Sequence, residues 1–170
     1  FGLLTTLPVG ISEPWQSGDS GRAGIWVPLV GVVIGGLTWL CWLALSKYIP
    51  PPVAGLGALL MWVGLTGGLH LDGLADCCDG LPGSASRERR LEIMKDPHLG
   101  AFGVIGLFFV LTLKATALSL LAPSSGLSIV FAATLGRWLI LPASRLPQAR
   151  PGGMGADFAA GVRPVAVWIT

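Results

Sequence analysis

The sequence predicts an all-α protein: a polytopic transmembrane helical bundle with a short interfacial helix in a cytoplasmic loop. Hydrophobic residues make up 52% of the chain and charged residues 12%, about half the charged fraction of soluble domains. The mean hydropathy is +0.72. The 25 glycines suit closely packed membrane helices. A buried soluble core does not produce successive windows of about 20 nearly uncharged residues, so we expect an integral membrane protein.

Four apolar segments account for the predicted spans. They cover residues 25–46, 53–69, 101–121 and 126–146. Each is near the length that crosses about 30 Å of hydrocarbon at about 1.5 Å per residue. The second is the shortest, so we expect its helix to continue through His70 and Asp72 into the interfacial layer. We assign residues 1–170 to a single integral-membrane domain, with a catalytic loop at residues 70–100. Because the chain starts at Phe1 and stops inside a new apolar run at residues 165–169, we expect it to be a fragment.

Charge predicts the orientation of this bundle. Alternate crossings place the N-terminal segment, the loop after the second span and the tail after the fourth on one side. That side carries most of the cations: Arg22, Arg87, Arg89, Arg90, Lys95, Arg145, Arg150 and Arg163. The opposite side carries Lys47 alone. By the positive-inside rule, the loop after the second span faces the cytoplasm.

Three aspartates in this loop form the most informative pattern in the chain. Asp72, Asp76 and Asp79 follow the second span at spacings i, i+4 and i+7, which on a helix places the carboxylates within an arc of roughly 60°. Like charges stacked in this way repel one another unless a cation lies between them. A set made only of carboxylates favours Mg²⁺ over zinc. The sequence therefore predicts a magnesium site.

Two cations fall inside predicted spans, Lys114 in the third and Arg137 in the fourth. Charges within a membrane are costly and usually face a bundle interior, a partner or a watery cavity. One interpretation is that both line a polar cavity that holds an anionic substrate. The other is that each is structural, pairing with an aspartate or extending to the interface. The sequence leaves both open.

The loop offers further polar candidates. Residues 86–95 predict a short amphipathic helix with arginines on its polar face. Lys95, Asp96 and His98 follow at the entry to the third span, where we expect a functional role. His70 lies two residues before Asp72 and points away from the aspartate face, so a supporting role and a site role are both open.

These features favour phosphoryl transfer, because a metal and nearby cations neutralise the transferred charge and align the reacting oxygens. Two alternatives remain. One is a lipid enzyme like the CDP-alcohol phosphotransferases, although the arginine and the downstream aspartate pair of their motif are missing. The other is a divalent-cation transporter, although the aspartates cluster at one membrane face and transporter sites usually lie near the midplane.

Five blocks in order carry a closer resemblance. They are Phe1-Gly-Leu-Leu-Thr-Thr-Leu-Pro-Val9, Trp26-Val-Pro-Leu-Val-Gly-Val-Val-Ile-Gly35, His70-Leu-Asp-Gly-Leu-Ala-Asp-Cys-Cys-Asp-Gly80, Arg90-Leu-Glu-Ile-Met-Lys-Asp-Pro-His-Leu-Gly-Ala-Phe-Gly103 and Gln148-Ala-Arg-Pro-Gly-Gly-Met-Gly155. In these blocks the chain resembles the cobalamin synthase family, the adenosylcobinamide-GDP ribazoletransferases. The resemblance implies a magnesium-dependent enzyme of the bacterial inner membrane. It would join adenosylcobinamide-GDP to α-ribazole or its 5′-phosphate and release GMP.

The resemblance also implies roles for individual residues. The three loop aspartates would hold Mg²⁺, and Asp96 would complete the metal shell or accept the hydroxyl proton. Substrate-binding residues would be His70, Lys95, His98, Lys114, Arg137 and Arg150, the last with Lys95 and Arg137 on the diphosphate. Gly152, Gly153 and Gly155 would let backbone amides approach phosphate or nucleobase. The implied partners are these substrates, the lipid bilayer and other late cobalamin-pathway enzymes, with no nucleic acid.

Overall fold

The fold is known from a computed structural model, which describes residues 4–8, 16–82, 86–149 and 152–163. Every regular element in these ranges is helical, which confirms the predicted all-α class. The α-helices are α1 (Asp19–Arg22), α2 (Val27–Leu45), α3 (Pro51–Thr66), α4 (Leu69–Gly80), α5 (Arg87–Ile93), α6 (Ala101–Ser119), α7 (Leu127–Trp138), α8 (Ile140–Ala143) and α9 (Met154–Gly161). Short 3₁₀ turns at Ala23–Trp26 and Pro123–Ser125 precede α2 and α7.

Within the described ranges, three helical segments are long and apolar enough to cross a membrane. They are Asp19–Leu45, Ala101–Ser119 and Pro123–Ala143. A fourth crossing exists if α3 and α4 are taken together, because the pair passes the same length and composition test although its two helices meet at 92°. The polytopic membrane bundle is therefore confirmed, with the second predicted span broken.

The break between α3 and α4 corrects one expectation. The second helix does not continue through His70 and Asp72. It ends at Thr66, and Gly67 and Gly68 both adopt left-handed backbone angles, with φ of 61° and 72°. Glycine adopts these angles without the penalty that a Cβ brings. The aspartates consequently lie on a separate helix that leaves the axis of α3 almost at a right angle.

Glycine also sets how closely the helices pack. A Cβ on Gly31 would lie 2.5 Å from the Thr134 Cα, and one on Gly35 would lie 2.6 Å from the Val130 Cα. These contacts bring α2 directly against α7, as small residues do in membrane bundles. At Gly55 an added Cβ would meet the side chain and backbone of Ser119, so α3 and α6 pack in the same way.

The last helix is fastened to the first. Asp157 on α9 accepts hydrogen bonds from the Ser17 hydroxyl at 2.6 Å, the Gly18 backbone N–H at 2.8 Å and the Ser20 hydroxyl at 3.0 Å. These hydrogen bonds hold the pKa of Asp157 below its usual value, and the bond from Ser17 has the largest effect. The helix α9 is thereby anchored to the segment that leads into α2.

Candidate active site

The aspartate helix α4 carries His70, Asp72, Asp76 and Asp79 on a single helical segment, which confirms the helical spacing. Asp72 is exposed, whereas Asp76 and Asp79 are half-buried. Within the described ranges, no group of three or more His, Cys, Asp and Glu side chains is arranged to hold a metal ion. The described residues therefore do not bring three carboxylates together as a metal centre. Asp96 does not join the loop aspartates in such a group either.

Asp79 has partners of another kind. Its Oδ2 accepts the backbone N–H of Gly100 at 2.9 Å, and its Oδ1 accepts that of Gly103 at 2.8 Å. Gly100 and Gly103 lie at the beginning of α6. Both carboxylate oxygens of Asp79 are thus engaged by the start of a neighbouring helix.

Asp72 and Asp76 lie one helical turn apart on the same helix. Mg²⁺ is commonly held by one or two carboxylates, with substrate oxygens and water completing the octahedron. A donor set of two carboxylates, with no described histidine or cysteine grouped with them as a third ligand, fits that chemistry better than it fits zinc. These two residues are the part of the predicted set that suits a magnesium ion.

The two intramembrane cations converge on one aromatic ring. The Lys114 Nζ lies 5.2 Å from the centroid of the Trp62 ring, and the Arg137 Cζ lies 5.9 Å from it. Both distances are within the range of a cation–π interaction. Since Trp62 belongs to α3, Lys114 to α6 and Arg137 to α7, three helices build this site. His70 on α4 is close enough for both cations to act on it electrostatically.

The surroundings of Lys114 and Arg137 bear on the two interpretations of these cations. In the part of the chain that the structure describes, neither Lys114 nor Arg137 has a carboxylate within 4 Å. Both ring nitrogens of His70 and the Trp62 indole nitrogen are buried and have no hydrogen-bond partner among the described residues. Buried polar atoms of this kind cost free energy unless a ligand or water satisfies them. We call Trp62, His70, Lys114 and Arg137 the cation cluster, and its chemistry suits an anion.

Lys95, Asp96 and His98 lie apart, on the exposed segment between α5 and α6. Asp96 Oδ1 accepts the His98 backbone N–H at 3.0 Å and lies 2.6 Å from the His98 Nδ1. These contacts hold the pKa of Asp96 below its usual value, and the backbone hydrogen bond from His98 has the largest effect. Lys95 and Asp96 also line a surface groove of about 420 Å³, together with Arg89, Glu92 and Ile93. The structure therefore groups these residues at the surface.

The predicted C-terminal site residues are only partly described. Arg150 lies outside the described residues. Gly152 has a left-handed φ of 74°, and an added Cβ on Gly152 or Gly153 would meet no described residue within 4 Å. Gly155 lies in the first turn of α9. The role predicted for these glycines stays a prediction, and α9 itself is anchored to α1.

Sequence reasoning missed two residues that the structure makes important. Trp62 contacts both cations through its ring, and Asp157 joins α9 to the start of α1. A signal for Trp62 existed, because intramembrane cations need a partner and an aromatic face in a neighbouring span is one. Asp157 had none, since its partners lie 137 to 140 residues away in sequence.

Comparison with known proteins assigns the family. The family model described as cobalamin-5-phosphate synthase matches residues 1–170. Among the similar curated proteins are three named adenosylcobinamide-GDP ribazoletransferase. The one from Desulfitobacterium hafniense (strain Y51) is 41% identical over 161 residues, covering 92% of this chain and 63% of that protein. The one from Thermosynechococcus vestitus is 40% identical over 158 residues, covering 90% of the chain and 61% of that protein. The one from Pseudomonas putida (strain W619) is 41% identical over 171 residues, covering 98% and 70%.

No solved structure matches the chain. The chain spans about three fifths of the length of the first two relatives (63% and 61%). These matches favour neither a CDP-alcohol phosphotransferase nor a cation transporter. Since the family model covers every residue, the chain belongs to the cobalamin-5-phosphate synthase family.

Proposed function

We propose that this chain forms the metal- and diphosphate-binding part of an adenosylcobinamide-GDP ribazoletransferase. The reaction joins adenosylcobinamide-GDP to α-ribazole, or to its 5′-phosphate, and releases GMP. The family match and the names of the relatives support this assignment. The observation that carries it is the cation cluster, where two half-buried cations lie over one tryptophan with no carboxylate partner in the described structure.

The chemistry is a substitution at phosphorus. A ribose hydroxyl of the acceptor forms a new O–P bond to the phosphorus on the cobinamide arm. The bond from that phosphorus to the bridging oxygen breaks, and GMP leaves with the bridging oxygen. The hydroxyl proton passes to a base. Charge builds on the phosphoryl oxygens and on the leaving group, so stabilising that charge is the main task of the protein.

The cation cluster performs that task from the membrane side. The Arg137 guanidinium can donate two parallel hydrogen bonds to a diphosphate, and Lys114 adds a second positive charge. The Trp62 indole N–H and a His70 ring N–H are buried donors that no described residue accepts from, and both suit phosphate oxygens. Because these side chains are half-buried, their interactions with the anion are stronger than they would be in water.

Asp72 and Asp76 supply the metal-binding part of the proposed site. We assign them to Mg²⁺, which when bound would neutralise phosphoryl charge and polarise the phosphorus. Without a bound metal, these two carboxylates would repel a diphosphate. A bound Mg²⁺ would remove that charge repulsion. The site would therefore favour the diphosphate when the metal is present.

The surface residues complete the assignment. We assign acceptance of the hydroxyl proton to Asp96, an exposed carboxylate. The hydrogen bonds from His98 lower its pKa and make it a weaker base than a free aspartate. Lys95 in the adjoining groove can hold a phosphate of the acceptor or donor. We also infer that this face of a bacterial inner membrane is cytoplasmic, which the excess of arginine and lysine on the same side supports.

The test uses membranes that contain the full-length protein carrying this segment. They are incubated with adenosylcobinamide-GDP, α-ribazole and Mg²⁺, and the products are separated for GMP and a complete corrinoid. We expect both products in equal amounts, and neither with a chelator. A matched membrane sample with Gly136→Ala, a position on α7 with nothing within 4 Å of an added Cβ, should behave as wild type. Release of CMP from a CDP-alcohol, without GMP from the corrinoid substrate, would refute the assignment.

A further inference from the structure

The contact between α4 and α6 supports a distinct role for Asp79. The first N–H groups of a helix have no partner within the helix. At the start of α6, the N-cap residue is Gly100, which has no side chain to supply one. The carboxylate of Asp79 on α4 takes the N–H groups of Gly100 and Gly103 instead. A negative charge at this position is also favoured by the positive end of the helix dipole.

The sequence of α6 leaves room for this carboxylate and for nothing larger. A Cβ on Gly100 or on Gly103 would collide with the carboxylate of Asp79. One helical turn further along, a Cβ on Gly106 would collide with the Cys78 Sγ. Glycine recurs at every third position, 100, 103 and 106. This spacing allows Cys78 and Asp79 of α4 to lie directly against the α6 backbone.

We propose that Asp79 is a positioning residue that fastens α4 to the first turn of α6, and that it is not a metal ligand. Two N–H donors and the positive helix end already take up its charge, and the same helix end repels a divalent cation. Asp72 and Asp76 then carry the metal. The metal half of this inference rests on the proposed function, whereas the fastening half rests only on the contacts of Asp79.

The consequence reaches the cation cluster. Lys114 lies on α6, about 17 Å along the helix from Gly103 at about 1.5 Å per residue. The Asp79 contacts therefore set where Asp72 and Asp76 stand relative to Lys114. Loosening them should misplace the metal site from the diphosphate site and lower the turnover of protein that is folded and still binds metal.

A double-mutant cycle on activity tests the fastening half. The variants are Asp79→Ala, Gly103→Ala and the double variant, with Gly73→Ala as the control because an added Cβ there meets nothing within 4 Å. Turnover is measured per folded molecule in membranes. We expect each single variant to lose about tenfold in kcat and the double variant to lose no more than Asp79→Ala, since removing the carboxylate removes the main clash at Gly103. Independent, multiplicative losses would overturn the proposal.

A conservative variant guards against misfolding. Asp79→Asn keeps one side-chain oxygen that can accept one of the two N–H groups, and asparagine is a good capping residue. We expect its kcat to lie between those of wild type and Asp79→Ala. An Asp79→Asn variant as inactive as Asp79→Ala, with wild-type abundance, would contradict a capping role.

A metal-binding measurement tests the metal half of the proposal separately from the fastening half. Purified full-length protein in lipid nanodiscs is titrated with Mn²⁺, with free ion followed by electron paramagnetic resonance. We expect Asp79→Ala and Gly103→Ala to bind Mn²⁺ within about twofold of wild type, and Asp72→Asn to bind at least about tenfold more weakly. Weakening by Asp79→Ala equal to that by Asp72→Asn would overturn the proposal. If wild type bound no Mn²⁺, the metal assignment under the proposed function would fail, while coupling between positions 79 and 103 would still support the fastening role.

Discussion

Replacing Arg137 with leucine separates a substrate-binding cation from a structural one. In the structure, Arg137 contacts the Trp62 ring at 5.9 Å and has no carboxylate within 4 Å among the described residues. Replacing Arg137 with leucine therefore does not leave a described acidic side chain buried and unpaired. We expect the Arg137→Leu protein to reach the membrane at wild-type abundance or above, and to bind adenosylcobinamide-GDP poorly.

The magnitudes follow from two opposing terms. Leucine is favoured over arginine at the centre of a membrane helix by about 3–4 kcal/mol. Loss of the cation–π contact with Trp62 costs about 0.5–2 kcal/mol, so the balance still favours insertion by about 1 kcal/mol or more. A charge-assisted hydrogen bond to the diphosphate contributes about 1.5–3 kcal/mol. Its loss corresponds to an affinity about 10- to 150-fold weaker.

The assay measures membrane abundance and the apparent KM for adenosylcobinamide-GDP on the same samples. Arg137→Lys keeps the charge but loses the planar fork, so its KM should lie between those of wild type and Arg137→Leu. Gly136→Ala, the open neighbouring position on α7, controls for any change in this helix. If Arg137→Leu lost abundance while the surviving enzyme kept its KM, Arg137 would be a packing residue and the cation cluster would not bind substrate.

The other predictions concern the metal, the aromatic ring, the C-terminal anchor and the topology. Asp72→Asn should raise the Mg²⁺ concentration for half-maximal activity by at least about tenfold at normal abundance; an unchanged Mg²⁺ curve would remove Asp72 from the metal site. Trp62→Leu should lower the melting temperature of the solubilised protein and weaken substrate affinity, whereas Trp62→Phe should retain most of both; equal effects would exclude the ring as the reason. The folded pKa of Asp157 is lowered by its hydrogen bonds, so its contribution to stability is present above the unfolded pKa and is lost as pH falls through the folded value; melting curves of Asp157→Asn should lack this acid-range loss, and an identical pH profile would contradict it. On a background without the three free cysteines, a cysteine at Ser125 should be labelled from outside the cell and one at Gly153 only from the cytoplasm; the reverse pattern would overturn the orientation.

The sequence by itself determined the class of the fold and the helix that carries the aspartates. Apolar length predicts membrane spans because each residue adds a fixed rise to a helix and the bilayer has a fixed thickness. The helical spacing of Asp72, Asp76 and Asp79 is likewise a local property, and α4 confirms it. The amphipathic helix before Lys95 was predictable for the same reason, and its Ser86 Oγ accepts the Arg89 N–H at its start.

Only the tertiary structure decided where those helices stop and what their polar groups contact. The pair Gly67 and Gly68 is compatible with a continued helix or a break, and the packing of α3 and α4 against α6 selects the break. Asp79 resembles its neighbours in sequence, yet its partners are amides 21 and 24 residues away. Lys114 and Arg137 meet at Trp62 because three helices cross there. Periodicity and side-chain chemistry act over a few residues, whereas the crossing of helices depends on the whole chain, so the roles of these charges could not be read before the bundle was assembled.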